Sequence, residues 1–226
     1  MSSVLVVSIP RLSAHLGNNQ IEMFEKTADS IMSTLVTFLL PTIVGLAVLA
    51  KEAVLIVSSG NYLDAVIPLE ILCGALLFCM LAWFYGQCIL LPNKQEKVIL
   101  IATSTSAIVN VVLNFIFIPV FQEKAAAITT LISECVAMLI CGYHARCYLK
   151  NKESIRVTFK VLAGCIAIIV CVYVLKSIMN FGLLINTFIE IVCAVGLFFI
   201  VELVLKNAVV EDLFKSIMNV SKLKKF

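Results

Sequence analysis

Apolar residues along the chain come in runs of membrane-crossing length, interrupted by short polar hinges. About 20 residues at 1.5 Å rise cross the ~30 Å hydrocarbon layer of a bilayer. Six stretches reach that length, at 31–57, 67–91, 98–120, 125–149, 157–175 and 183–205. Each is expected to be a helix, because backbone groups facing lipid must pair within their own segment, and the runs lack the period-two alternation of a barrel strand. The opening segment "MSSVLVVSIPRLSAHL" is apolar only to Ile9, too short to span and without the basic start of a signal peptide. It is expected to be a partial helix over 1–16. The reading is therefore an all-α polytopic transmembrane bundle over 1–206, followed by a tail over 207–226.

Composition agrees with the pattern: of 226 residues 62% are hydrophobic and 14% charged, with mean hydropathy +1.08, far from a soluble domain. Charge then orients the bundle. Fourteen of the 17 Lys and Arg residues fall on one set of alternate hinges and in the tail, while only Lys51, Lys124 and Lys176 fall on the other. By the positive-inside rule the hinges "PNKQEK" and "KNKESIR" and the C-terminus are cytoplasmic, and "SSGNYLDA", "FQEK" and "KSIMNFG" face outward. The net charge of +3 is spread over these hinges with no aromatic platform beside it, so nucleic acid is not an expected partner. In the tail, Val210, Leu213, Phe214, Ile217 and Met218 share one helical face ahead of a lysine cluster, which suits a helix lying on anionic membrane lipids.

The nine cysteines lie in or near apolar runs with no Cys-x-x-Cys, and His15 and His144 are isolated. Small buried hydrophobes are the expectation, with no metal and no cofactor. Gly-rich phosphate loops and nucleophile elbows are absent, and the outward hinges are short. A chain of helices and hinges is expected to do its work between helices, as carriers do, rather than as an enzyme.

Polar residues inside the runs are the candidates for that work. Ser106, Asn110 and Asn114 are spaced i, i+4, i+8 on one helix face, and Ala126, Thr130, Ser133 and Ala137 form a small-residue stripe on the next. The asparagines and hydroxyls fit helix-on-helix packing as well as a cavity. Glu134 is an ionisable group at membrane depth and therefore a functional candidate. Lys51 and Glu52 are candidates for a cavity or for snorkelling to the outer surface. Pro41, Gly45 and Pro119 are hinge candidates, while Gln87, Glu190 and Glu202 are weaker cavity cases, Glu202 because it lies near the cytoplasmic end.

The segments "VLVVSIPRLSAHLG", "LLPTIVGLAVLAKEAVLIVSSGNYLDAVIPLEIL" and "NVVLNFIFIPVFQEKAAAITTLISE", in that order and spacing, resemble the C-terminal half of the Wzx-type polysaccharide and O-antigen flippases of the multidrug/oligosaccharidyl-lipid/polysaccharide exporter (MOP) superfamily. The resemblance spans nearly the whole chain and rests on positions such as Pro10, Pro41, Gly60, Tyr62, Asn110, Asn114, Pro119, Ala126 and Glu134. One departure is "EKAAA", where Lys124 stands in place of a frequent glycine. The resemblance implies a bacterial inner-membrane transporter that flips undecaprenyl-pyrophosphate-linked oligosaccharide units for surface polysaccharide, including lipopolysaccharide, by alternating access of two bundles. It also implies that a first bundle is missing here, so that the chain is either a truncated reading frame or the partner of a separately encoded N-terminal half. A cation-coupled multidrug exporter of the same superfamily is the alternative, and predicts a deep acidic residue such as Glu134. An integral-membrane polysaccharide polymerase, which needs a long outward loop, is the third reading.

Overall fold

The computed structural model describes residues 2–58, 60, 62–149, 152–179 and 181–223. Eight α-helices account for nearly all of them, and no strand occurs among the described residues: α1 Ser2–Gly17, α2 Ile21–Val48, α3 Ala50–Ser58, α4 Val66–Trp83, α5 Glu96–Ala145, α6 Lys152–Ile178, α7 Leu183–Val204 and α8 Ala208–Leu223. A π-helical turn, Phe84–Leu90, extends α4, and short 3-10 turns cover Leu63–Ala65 and Arg146–Tyr148. Five helices are long and apolar enough to cross a membrane, and the longest, α5, contains a reversal. The protein is an all-α membrane bundle.

The reversal in α5 lies at Gln122, whose φ of 51° and ψ of −128° belong to no helix. The arms on either side of it run antiparallel and correspond to the two spans expected at 98–120 and 125–149. Left-handed backbone recurs where helices meet: Asn19 between α1 and α2, Lys94 between the π turn and α5, and Lys206 between α7 and α8 all have positive φ. Such residues let a chain leave one helix and start another within a few residues. Short hinges follow, with their ends alternating between the two ends of the bundle as the hydropathy pattern requires.

One expected span is corrected. The run 31–57 is not one helix, because α2 begins at Ile21 and stops at Val48, and Leu49 separates it from α3. The polar start "IEMFEKTADS" continues the helix beyond the hydrocarbon edge, where propensity and packing rather than hydropathy decide. Its Asp29 earns this position. The two carboxylate oxygens of Asp29 accept the backbone N–H groups of Glu153 (3.0 Å) and Ser154 (3.2 Å), so α2 caps the first turn of α6 from outside.

The core lies around α2. Phe24, Leu35 and Leu39 of α2 meet Phe84, Ile89 and Leu90 of the π turn, Leu12 of α1, Val161 and Val172 of α6, and Phe198 of α7. Helices α2 and α6 run parallel and α7 returns against α6, where Gly164 allows close approach to Phe198. On the other side the two arms of α5 pack with α4. Here the second arm presents Ala125, Thr129, Ser133, Ala137, Cys141 and Ala145, all buried and spaced by four. This corrects the expected stripe of Ala126, Thr130, Ser133 and Ala137 by one position in its first half. Small side chains at this spacing let helix backbones approach closely in lipid.

Helix α8 turns away from α7 at Asn207. The Asn207 side-chain carbonyl accepts Val209 N–H (3.1 Å), and its amide donates to Glu202 Oε2 (2.6 Å). Val210 is fully buried, whereas Leu213 and Phe214 are partly open. The side chains of Ile217 and Met218, and Lys150, Lys224 and Lys225 of the basic hinges and tail, lie outside the described residues.

Candidate functional site

Between α4, its π turn and the two arms of α5 lies a groove of about 510 Å³. Its polar lining consists of Gln87, Thr103, Ser106, Asn110, Thr130, Ser133 and Glu134, with Cys79, Trp83 and several alanines completing the wall. Sequence-predicted Asn110 and Glu134 therefore meet in one place. Gln87 joins them because the π turn, closed by Leu91 N–H on the Gly86 carbonyl (2.9 Å), widens the helix at that point.

The floor of the groove is a polar ladder across the α5 hairpin. Ser106 Oγ donates to the Ser133 carbonyl (2.8 Å), and Asn110 Nδ2 to Ser133 Oγ (3.1 Å). Asn114 Nδ2 donates to Asn110 Oδ1 (2.9 Å), and Thr129 Oγ1 donates to Asn114 Oδ1. These bonds account for the asparagines directly: they satisfy one another and the facing hydroxyls at membrane depth. Asn114 is used entirely in the hairpin and does not line the groove. Asn110 does both. Most other hydroxyls in the spans, such as those of Thr34, Thr37, Thr42 and Thr187, bond the carbonyl four residues back in their own helix.

Glu134 has a different environment. It is half-buried and, among the described residues, is the sole carboxylate lining the groove, whose wall carries no lysine, arginine or histidine. A single acidic group in a polar-walled groove at membrane depth can hold a proton or a cation, or accept a donor from a substrate.

The remaining candidates separate. Lys51 is exposed, and Glu52 forms an ion pair with Lys176 of α6 at 2.8 Å, so neither reaches the Glu134 groove. Pro41 and Gly45 sit inside α2, which continues past both to Val48; the interruption falls at Leu49. Both line a second, almost wholly apolar groove of about 590 Å³ between α2, α3, α6 and α7. Pro119 also lies within α5, and the chain reverses three residues later at Gln122. Glu202 lies near the end of α7, as its place in the run indicates, but is fully buried there, and Glu190 is 3% exposed. Hydropathy marks how far along a helix these glutamates lie but not which side of the helix they occupy, and that side decides their burial.

No protein-family model matches the chain, and no curated protein matches it.

Proposed function

We propose that the protein is a bundle of a membrane transporter that moves undecaprenyl-pyrophosphate-linked oligosaccharide units across the bacterial inner membrane for surface polysaccharide assembly. The observation that carries this reading is the groove at Glu134: a polar cleft at membrane depth in a protein otherwise made of apolar helices and short hinges. Hydroxyl and amide groups match the hydrogen-bonding surface of a glycan, and alternating access opens such a cleft to one side of the membrane at a time. The helices beside it are the least covered: 11% of the apolar window of α4 and 6% of that of α5 is buried, against 44% for α2. In this reading that face meets a second bundle, and the basic groups that a pyrophosphate requires come from there. Helix α8 rests on the anionic inner leaflet.

A second reading, a cation-coupled exporter of amphipathic compounds, is favoured by one observation: the groove wall carries an acid and no base. Deleting the gene separates the two. Flippase activity predicts loss of surface polysaccharide and accumulation of its lipid-linked units inside the cell, with efflux of cationic dyes unchanged. Intact polysaccharide together with slowed dye efflux would reject the flippase in favour of the exporter.

A further inference from the structure

A second ionisable cluster lies apart from the Glu134 groove, at the end of the bundle where α2 breaks into α3. Lys176 Nζ of α6 donates to the Val48 carbonyl (3.0 Å), in the last turn of α2, and pairs with Glu52 Oε1 of α3 (2.8 Å). Glu190 of α7 lies level with Lys176, because α7 runs antiparallel to α6 with Phe198 and Glu202 against Gly164, and α3 also packs on α7, yet Glu190 forms no ion pair at contact distance among the described residues. The residue is 3% exposed, and its buried Oε2 has no hydrogen-bond partner among the described residues; Glu52 Oε2 has none either.

The charges here do not balance if all three groups are ionised. Lys176 neutralises one carboxylate, and the geometry assigns it to Glu52. An ionised Glu190 would then be a buried negative charge without a counterion, which is far less favourable than a neutral carboxylic acid in the same place. No other group corrects the imbalance. Helix α2 has no ionisable residue between Ser30 and Val48. Lys51 of α3 is exposed, the thiols of Cys171 in α6 and Cys193 in α7 supply no positive charge, and Lys160 and Glu202 lie at the opposite end of α6 and α7 with the residues of α8.

We propose that Glu52, Lys176 and Glu190 form a proton-binding site, in which Glu190 carries the bound proton at neutral pH while Lys176 holds Glu52. When the proton leaves to water at the partly open end of the site, Glu190 becomes a second claimant on the Lys176 ammonium. Lys176 then moves between the two carboxylates and away from the Val48 carbonyl. Proton occupancy is thereby linked to the α2–α3 break at Leu49. This inference does not depend on what the protein transports.

Infrared difference spectroscopy of the full-length protein in lipid vesicles, titrated from acid to alkaline pH, tests it. The site predicts a protonated-carboxyl C=O band at neutral pH that shifts in D2O, is lost in Glu190→Gln, and survives in Glu202→Gln, which removes the other buried acid. In Glu52→Gln, Lys176 is released to Glu190, so the band vanishes at neutral pH and returns only in acid. In Lys176→Met the band persists to more alkaline pH and gains intensity. Should Glu190→Gln fail to fold, the opposite shifts of the Glu52 and Lys176 variants still decide. A neutral-pH spectrum without the band, or Glu52→Gln leaving it unmoved, would overturn the proposal.

Discussion

Gly164 illustrates how much one side chain decides in this bundle. A Cβ placed on it would stand 2.7 Å from Glu202 Oε1 and 2.8 Å from the Phe198 ring, and both neighbours are fully or nearly fully buried. Gly164→Ala should therefore destabilise the protein by about 1–3 kcal/mol through overpacking. Gly45→Ala has open space around its Cβ and sits within a helix, so it should be neutral or stabilising by up to about 1 kcal/mol. Thermal unfolding of the two variants in detergent reads the contrast, and equal midpoints would contradict the packing described for α6 and α7. The same scale shows what is legible without a structure. Asn110 and Glu134 declare themselves by standing in an apolar run, and they meet in one groove. Glu190 and Glu202 stand in a comparable run, but whether they are buried depends on which neighbour covers them. That information lies in helix packing, not in hydropathy.

Among the elements, α5 carries the clearest consequence of local geometry. Gln122 adopts a φ of 51° and ψ of −128°, a conformation in which a side chain costs about 1–3 kcal/mol and glycine costs little. Gln122→Gly should raise the unfolding midpoint and Gln122→Val should lower it, with the hairpin otherwise unchanged. A stabilising valine would mean that the reversal is not located there. The position of this reversal was readable to within a few residues, because the polar "FQEK" separates two apolar runs. The start of α2 was not readable. Its first turns are polar and lie beyond the hydrocarbon, and they are helical partly because Asp29 caps α6. Likewise, Gly45 and the Lys51–Glu52 pair flank the break at Leu49, but neither fixes the residue at which α2 stops.

At the scale of the whole molecule, the proposed orientation makes a definite prediction about sidedness. In a background with the native cysteines replaced, Leu63→Cys should react with an impermeant thiol reagent added outside intact cells, and Glu153→Cys only after the cells are opened. Both positions are exposed, so the reverse pattern would invert the proposed orientation. The central claim concerns transport through the Glu134 groove, and the measurement closest to it is the appearance of lipid-linked oligosaccharide on the outer leaflet of native-host membrane vesicles. The account predicts translocation with the wild-type protein, partial activity with Glu134→Asp, and a fall to near background with Glu134→Gln at equal protein level. Full translocation by Glu134→Gln, or by vesicles from cells lacking the protein altogether, would contradict it.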